Sequence, residues 1–539
     1  MQNLLVEYIS LILIILVLVM LASKLRLAYP IVLVLGGLAI SFTSLFSNIT
    51  IDPELIFFIF LPPLLYEAAW QVSWKDFWKW RRVILSFAFP IVIITSCVIA
   101  FVSSSLIPGF TLALGFLLGG IISPPDAISA TTIMRQVKVP RSLVSIAEGE
   151  SLLNDASSLI VFRFALAAVL TGQFYFEQAA FSFFVVVSMG IIMGLFVGII
   201  FYGFHRWLPT NPSIEIVLTL IAPYCMYFAA EFFQFSGVLS VVSGGLLLSS
   251  KRLSMLSFQS RIQGLNVWTV LGFVLNGFIF LLIGLQLSAI TNQLGDTSLV
   301  TAIWYGLAIS LVLIITRLLS TLGASIFTKF ISHFITVADA NPGWRSPVVL
   351  GWAGMRGVVS LAAALSIPLF ISNEVPFPYR NLILFITFIV ILVTLVFQGL
   401  SLPWLIRKVK PRNNFNTLSE LMQEKIIQKE IAEGSLKFLE EQSADGQQLN
   451  DYIANLQSKL KTDMKFFNTD YEEISKNNYL KDYQLFYLEL LKHQRSLLLE
   501  MNRNTDYDEE LIRKYFSLID LEEIKIRELM LQNTAKQNH

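Results

Sequence analysis

The sequence predicts an all-α polytopic membrane protein of about thirteen transmembrane helices with inverted repeats, followed by a cytoplasmic helical C-terminal domain. Three observations support this fold class. Hydrophobic residues make up 55% of the 539 residues and charged residues only 14%, and the mean hydropathy is +0.66. Apolar runs long enough to cross a bilayer recur up to residue 410. Beyond that point the chain becomes rich in Glu, Lys, Gln, Asn and Leu.

Each candidate span is a run of roughly 20 mostly apolar residues between more polar loops. The second and ninth runs are short and are expected to be tilted or partly re-entrant. The runs cover residues 3–23, 28–45, 54–73, 83–105, 110–134, 143–171, 178–204, 212–233, 236–250, 262–289, 299–328, 346–371 and 381–406.

Basic residues fall in every second predicted loop and so orient the chain. The positive-inside rule makes these loops cytoplasmic, which predicts an N-terminus outside and a C-terminus in the cytoplasm. The first run carries Glu7 and lacks a basic leader, so we expect it to be a retained span. The compact loops and the absence of targeting signals favour a cell (inner) membrane. The basic loops lie at residues 24–26, 75–82, 135–141, 206, 251–261, 329–345 and 407–412.

The change in composition predicts a domain boundary, with a transmembrane domain at 1–410 and a helical domain at 411–539. The second part has no Gly-rich nucleotide loop and no Cys/His cluster. We therefore predict a role in regulation or assembly, with an unknown regulator, and neither enzymatic activity nor nucleic-acid binding. Its candidate helices cover residues 416–442, 447–467, 471–503 and 507–533.

A polar cluster around Asp155 interrupts an otherwise apolar span. On a helix, Ser151 and Asp155 share one face, and Glu150 and Asn154 share the adjoining face. Carboxylate and hydroxyl oxygens are ligands for hard cations, and an intramembrane carboxylate normally faces an ion path. The alternative is a hydrogen-bond cluster between helices, but two acids on one turn exceed what it requires. The cluster therefore predicts a cation and proton site.

Asp126 follows the helix-breaking pair Pro124-Pro125 in another apolar span. Proline leaves carbonyls of the preceding turn without donors, so in a membrane they must be buried or bind a ligand. A second interrupted span, at residues 351–360, contains Arg356. A pair of interrupted spans is typical of an inverted-repeat transporter. We expect Arg356 to neutralise Glu150, which leaves Asp126 and Asp155 for the transported ion.

Three further charged residues lie within spans. Glu67 is either an additional cation ligand or a carboxylate that caps its span. Arg163 is expected to reach outward or to pair with an acid such as Glu231, and Arg317 has no obvious partner in the sequence. No histidine falls within one of the predicted spans, and both cysteines lie in apolar segments. We therefore expect no cofactor and no bound metal other than transported Na⁺ or Li⁺.

Taken together, these segments resemble the monovalent cation:proton antiporter-1 family, which includes the NhaP-type bacterial and archaeal Na⁺/H⁺ antiporters and the sodium/proton exchangers. The similar segments are 61–68, 123–127, 149–155, 278–286 and 354–357. The resemblance implies thirteen spans, a homodimer, two broken helices that cross, and alternating access by an elevator-like motion. It covers about residues 1–410 and not the remainder.

The resemblance also implies roles for individual residues. It makes Asp155 and Asp126 the cation ligands, with help from Ser151 and Glu67, so that Na⁺ binds at Asp155, Asp126 and Ser151. Asn154 marks electroneutral members, and Glu150 and Arg356 form a supporting ion pair. Many members carry Thr or Ser directly before the aspartate. This chain has Pro125 there, which offers only its backbone carbonyl.

The sequence thus predicts an electroneutral Na⁺(Li⁺)/H⁺ antiporter in which the proton and the cation compete for Asp155 and Asp126. A K⁺/H⁺ antiporter on the same scaffold remains an alternative. From a different class, a gated cation channel also uses intramembrane acids, although it usually has a repeated filter loop, which this sequence lacks. A third class, an intramembrane enzyme, would need a Ser/His pair or a His/Asp metal site within the spans, and the predicted spans contain no histidine.

Overall fold

The structure is a computed structural model of the 539-residue chain. The chain divides into two compact units, Met1–Phe415 and Asn416–His539. The roles predicted for the two parts stay predictions. Residues 43–45, 54–55, 416–419, 447–450, 471–478, 502–503 and 507–508 of the predicted segments lie outside the described residues. The described residues are 2–42, 56–137, 139–173, 176–292, 294, 298–334, 337–339, 342–372, 375–411, 420–444, 451–468, 479–501 and 509–534.

Helices make up nearly all of the described residues of the first unit. In chain order, the first ten helices among these residues are α1 (Gln2–Leu25), α2 (Tyr29–Ser41), α3 (Leu61–Gln71), α4 (Trp74–Ser86), α5 (Val92–Leu106), α6 (Leu112–Ile122), α7 (Ala127–Gln136), α8 (Arg141–Thr171), α9 (Phe176–Trp207) and α10 (Pro212–Phe232). The others are α11 (Gly237–Met255), α12 (Phe258–Asn292), α13 (Leu299–Ile331), α14 (Arg345–Trp352), α15 (Val358–Leu365), α16 (Arg380–Val393) and α17 (Gly399–Val409). Short π-helical segments at Ile56–Phe60, Phe87–Ile91 and Thr394–Gln398 continue into α3, α5 and α17.

One departure from the all-α prediction is a small antiparallel hairpin of β1 (Phe370–Ser372) and β2 (Val375–Pro376). It lies between α15 and α16. Proline lacks an N–H donor, so Pro368, Pro376 and Pro378 disfavour a helix in this loop, while aromatic and β-branched residues favour short strands.

Eight segments in the described part of the chain are long and apolar enough to cross a membrane. The predicted total of thirteen spans and the inverted repeats stay predictions. The described part of the short second run, residues 28–42 of the predicted 28–45, contains the 13-residue helix α2. The eight segments are Trp74–Leu106, Leu112–Gln136, Arg141–Thr171, Ala180–Trp207, Pro212–Phe232, Phe258–Leu287, Leu299–Ile331 and Arg380–Val409.

Polar side chains and glycine set the ends of several apolar helices. Thr111 Oγ1 accepts a hydrogen bond from the N–H of Leu114 at the start of α6, and Asn211 Oδ1 accepts one from Ile214 at the start of α10. Gly172 ends α8 with φ of 70°, a left-handed conformation that glycine adopts without steric cost. Each cap satisfies backbone groups that would otherwise lack a partner within the helix.

The two interruptions predicted from the sequence are present, and they lie against each other. One separates α6 from α7 at residues 123–126, and the other separates α14 from α15 at residues 353–357. The N–H of Asp126 donates to the carbonyl of Met355 across the two breaks, at 2.7 Å. Backbone groups freed by each interruption are therefore partly satisfied by the other.

Within the first unit the helices pack in two groups, which we name the core group and the scaffold group. The core group contains α4–α8 and α13–α17, and the scaffold group contains α1–α3 and α9–α12. Small residues allow close packing in both. Gly119 on α6 faces the backbone of Ser96 on α5, and Gly284 on α12 faces the backbone of Val34 on α2.

The described residues of the second unit form helices in two pairs. Helices α18 (Glu420–Ala444) and α19 (Asp451–Asn468) pack together, as do α20 (Tyr479–Met501) and α21 (Glu509–Thr534). Arg495 on α20 forms ion pairs with Asp520, at 2.5 Å, and with Glu523, both on α21. Helices occur in all four regions where the sequence predicts them. Their cytoplasmic location stays a prediction.

Candidate functional site

A cavity of about 330 Å³ brings together four residues predicted as cation ligands: Asp155, Asp126, Ser151 and Glu67. Asp126 lies in the break before α7, and Ser151 and Asp155 lie on α8, so all three belong to the core group. Glu67 is on α3 of the scaffold group. The cavity therefore lies between the two groups, with carboxylates on both walls. At this stage the ligand roles of these residues stay predictions.

Asp126 both caps a helix and lines the cavity. Its Oδ1 accepts a hydrogen bond from the N–H of Ile128 at 3.1 Å, which caps the start of α7, and its Oδ2 accepts one from the Ser129 hydroxyl at 3.2 Å. A Cβ on Gly357, in the other break, would lie 2.6 Å from Oδ2. The absence of a side chain at Gly357 thus lets the second interruption approach this carboxylate.

Ser151 and Asn154 fasten α8 to the first interruption. Ser151 Oγ accepts a hydrogen bond from the N–H of Ala127 at 3.2 Å, and Asn154 Nδ2 donates to the carbonyl of Pro125 at 2.9 Å. Asn154 is fully buried. The Pro125 carbonyl, predicted as a cation ligand, is therefore already an acceptor in this arrangement. The second lone pair of the Pro125 carbonyl oxygen remains for another donor or a cation.

Asp155 differs from its neighbours because no described residue donates a hydrogen bond to its carboxylate. The residue is only 8% exposed, and it lines the cavity. A buried carboxylate without donors is costly unless a cation or a proton neutralises it. Asp155 therefore offers the strongest position for an exchangeable positive charge.

Glu67 approaches the cavity from the opposite wall. Gln71 Nε2 donates to Glu67 Oε1 at 2.9 Å, and the other carboxylate oxygen lies against the backbone of α12 at Gly272. A Cβ at position 272 would collide with this carboxylate. The ion pair of Arg135 with Glu148, at 2.7 Å, also lines the cavity.

The predicted ion pair of Glu150 with Arg356 is wrong, because the partner of Glu150 is Arg317. Arg317 Nη2 donates to Glu150 Oε2 at 2.8 Å, and Nη1 lies 2.5 Å from Oε1. Both side chains are 3% exposed. One charge-assisted hydrogen bond and a second close contact therefore pair the two charges in a buried place.

Arg356 instead donates to backbone carbonyls at both interruptions. Its partners are the carbonyls of Ile122 at 2.7 Å, Ser123 at 3.0 Å, and Gly354. The first two lie at the end of α6, where helix carbonyls lack partners and carry partial negative charge. Arg356 therefore supports the broken helices through the backbone rather than through a carboxylate.

The alternative in which Arg163 pairs with Glu231 is confirmed. Arg163 Nη2 lies 2.8 Å from both carboxylate oxygens of Glu231, and this pair joins α8 of the core group to α10 of the scaffold group. In the described residues no group of three or more His, Cys, Asp or Glu side chains is arranged to hold a metal ion.

The cavity also contains residues that sequence reasoning missed. Thr131, Thr132 and Ser360 come from the core group, whereas Tyr29 and Asn276 come from the scaffold group. The only sequence signal for Asn276 is a single amide in an apolar run. Such isolated polar residues are common in membrane helices, so the signal did not stand out.

Interrupted apolar helices around a buried carboxylate cavity define a class, the multi-pass membrane transporters. Residues 10–408 match the family model described as "Sodium/hydrogen exchanger, transmembrane". The chain belongs to this family, and the predicted family resemblance is confirmed. The family is one of transporters rather than enzymes.

Relatives and a solved structure agree with this assignment. The chain is 32% identical over 393 residues to the sodium, potassium, lithium and rubidium/H⁺ antiporter of Bacillus pumilus, covering 70% of this chain and 58% of that relative's length. It is 32% identical over 406 residues to the Na⁺/H⁺ antiporter ApNhaP of Aphanothece halophytica, covering 74% of this chain and 73% of that relative's length. The sodium proton antiporter MjNhaP1 of Methanocaldococcus jannaschii shares the fold, with a TM-score of 0.58 and 18% identity over 76% of this chain and all of that one.

Proposed function

We propose that this protein is an electroneutral Na⁺(Li⁺)/H⁺ antiporter that works by alternating access, with the proton and the cation competing for Asp155 and Asp126. The observation that carries the proposal is the Asp155 carboxylate, which lines the cavity and receives no hydrogen bond from a described residue. Such a group requires a positive charge before it can be enclosed.

Competition at one carboxylate is enough to couple the two ions. The bare anion resists transfer across a low-dielectric barrier, whereas the protonated and the cation-bound forms are neutral. The core group therefore moves against the scaffold group only with a proton or a cation in place. Each cation then replaces one proton, and the exchange is electroneutral.

The remaining site residues serve this exchange in different ways. Asp126 adds a second carboxylate, Ser151 a hydroxyl and Glu67 a carboxylate from the scaffold group. Buried pairing of Glu150 with Arg317 keeps a third core-group acid from competing for the cation. The protein acts without a cofactor, as a homodimer in the inner membrane, with its N-terminus outside and a cytoplasmic C-terminal domain that responds to a regulator.

A second candidate is K⁺/H⁺ exchange at the same site. Its support is the name of the Bacillus pumilus relative, an antiporter of sodium, potassium, lithium and rubidium against H⁺. The carboxylate, hydroxyl and carbonyl oxygens of the cavity are ligands for any of these ions, so the donor types do not separate the candidates.

Proton flux in proteoliposomes tests both candidates. Vesicles that hold an inside-acid pH gradient receive pulses of Na⁺, Li⁺ or K⁺ while a dye reports pH. We expect a response to Na⁺ and Li⁺ that is unchanged when the membrane potential is clamped, and that Asp155→Asn abolishes. Asp76→Asn, at a carboxylate outside the cavity, serves as control. An equal response to K⁺ favours the second candidate, and full exchange by Asp155→Asn refutes the scheme.

A further inference from the structure

Helix α12 presents to the cavity one face that carries two polar side chains, Thr269 and Asn276. Thr269, Gly272, Phe273 and Asn276 all line the cavity, and their spacing of three, four and seven residues places them on one side of the helix. Because α12 belongs to the scaffold group, this face lies on the same side of the cavity as Glu67. The wall opposite Asp155 and the break residues is therefore not merely apolar.

Glu67 and Asn276 are neighbours along this face. The Glu67 carboxylate lies against α12 where Gly272 leaves room for it, and a Cβ there would collide with both carboxylate oxygens. Asn276 stands four residues further on, so its Cβ is roughly 6 Å from the position that a Cβ of residue 272 would occupy. The carboxylate and the amide thus form adjacent polar positions on the scaffold wall.

The amide oxygen of Asn276 lacks a partner. The residue is 6% exposed, and no hydrogen bond reaches Oδ1 from the described residues. Buried polar atoms are nearly always satisfied, and exceptions occur where a water or an ion completes the site. A side-chain amide oxygen is a neutral, hard ligand of the kind that binds alkali and alkaline-earth cations. Oδ1 is enclosed in this structure, so it reaches a cation in the cavity through rotation of the Asn276 side chain, and it then coordinates that cation without changing the charge of the site.

We infer that Asn276 is a cation-positioning residue of the scaffold wall, which supplies Oδ1 to the transported cation beside Glu67 while Asp155 and Asp126 face it from the core group. This inference rests on the proposed antiport function. A proton needs no coordinating amide, so Asn276 favours the cation over the proton. Because it is neutral, it does not hold the exchanged charge, and its loss weakens cation binding without preventing the neutralised core group from moving.

The test compares initial rates of Na⁺-driven proton flux in proteoliposomes for the wild type, Asn276→Ala and Asn276→Asp. We expect Asn276→Ala to raise the KM for Na⁺ roughly tenfold with kcat within about twofold of the wild type. At a fixed subsaturating Na⁺ concentration, its acid limit of activity moves to higher pH, because protons compete better. Asn276→Asp keeps an oxygen and should keep the KM for Na⁺ at or below the wild-type value.

Asn266→Ala is the matched control, since Asn266 is an exposed asparagine of the same helix that does not line the cavity. A second readout is the rise in melting temperature on adding Na⁺, which Asn276→Ala should lose and Asn266→Ala should keep. The inference is overturned if the wild type exchanges while Asn276→Ala keeps its KM and its pH limit. It is equally overturned if Asn276→Ala leaves the KM for Na⁺ unchanged and lowers only kcat and the melting temperature measured in the absence of Na⁺. A wild type that responds to no cation instead refutes the proposed function.

Discussion

The buried pair of Glu150 with Arg317 allows a quantitative test of the structure. Replacing Arg317 with Met leaves the Glu150 carboxylate without its cation, in a place where both side chains are 3% exposed. Removing one member of such a pair typically costs about 3–5 kcal/mol, whereas replacing both by apolar residues of similar volume is close to neutral. We therefore expect Arg317→Met and Glu150→Leu to be strongly destabilised and the double variant to recover most of the loss.

The measurement is unfolding in a series of SDS–detergent mixtures, followed by circular dichroism. A loss of about 3–5 kcal/mol lowers the folding equilibrium constant roughly a hundred- to several-thousandfold. A second pair of variants uses Arg356→Met with Glu150→Leu. It should show no comparable recovery, because Arg356 donates to the carbonyls of Ile122 and Ser123 rather than to Glu150.

Two results would refute this reasoning. One is an Arg317→Met variant that unfolds at the same SDS fraction as the wild type, which would mean that the pair contributes nothing. The other is a double variant no more stable than its weaker parent, which would mean that the two side chains are not energetically coupled. Recovery through Arg356 rather than Arg317 would restore the pairing expected from the sequence.

Two further predictions concern the wall of the cavity and the C-terminal helices. Gly272→Ala should displace the Glu67 carboxylate and reduce Na⁺/H⁺ exchange at least tenfold. The control is Gly264→Ala on the same helix, whose new methyl group meets only Ile216, at 3.7 Å, and which should keep wild-type flux. Equal flux in both variants would count against the packing of Glu67 on α12. Contacts with Arg495 and Arg527 hold the pKa of Glu523 below its ordinary value, so the stabilisation they provide is present at neutral pH and is lost as the pH falls through that lowered pKa. At neutral pH, backbone hydrogen exchange in α20 and α21 should thus be up to about fivefold faster in Arg495→Gln than in the wild type. In acid the two exchange rates should be equal, and a difference in rate that persists in acid would contradict this ion pair.

The core-group side of the site could be predicted from sequence because its signals are local. The Pro124-Pro125 pair interrupts a helix wherever it occurs in an apolar run, and the spacing of Ser151 and Asp155 places both on one helical face. Both features follow from the chemistry of a few adjacent residues, and the structure contains both.

The partners of the buried arginines could not be predicted, because they depend on contacts between distant segments. Glu150 and Arg317 are 167 positions apart, and the sequence offers no way to rank Arg317 above Arg356 as a partner. The location of Arg356 in an interrupted span favoured the wrong choice. Likewise, Gly272 and Asn276 gain their meaning only when α3 lies against α12, because that packing brings Glu67 beside them.

Asp126 occupies two roles at once, since the carboxylate that faces the cavity also caps α7. Its charge state and the first turn of that helix are consequently linked, so a change of ligand at this carboxylate is transmitted directly to the backbone of the interruption at residues 123–126. Asp126→Ala would remove the charge and the helix cap at the same time, so the start of α7 would fray. Asparagine caps a helix about as well as aspartate does, and it is therefore the substitution that separates the electrical role of this residue from its architectural one.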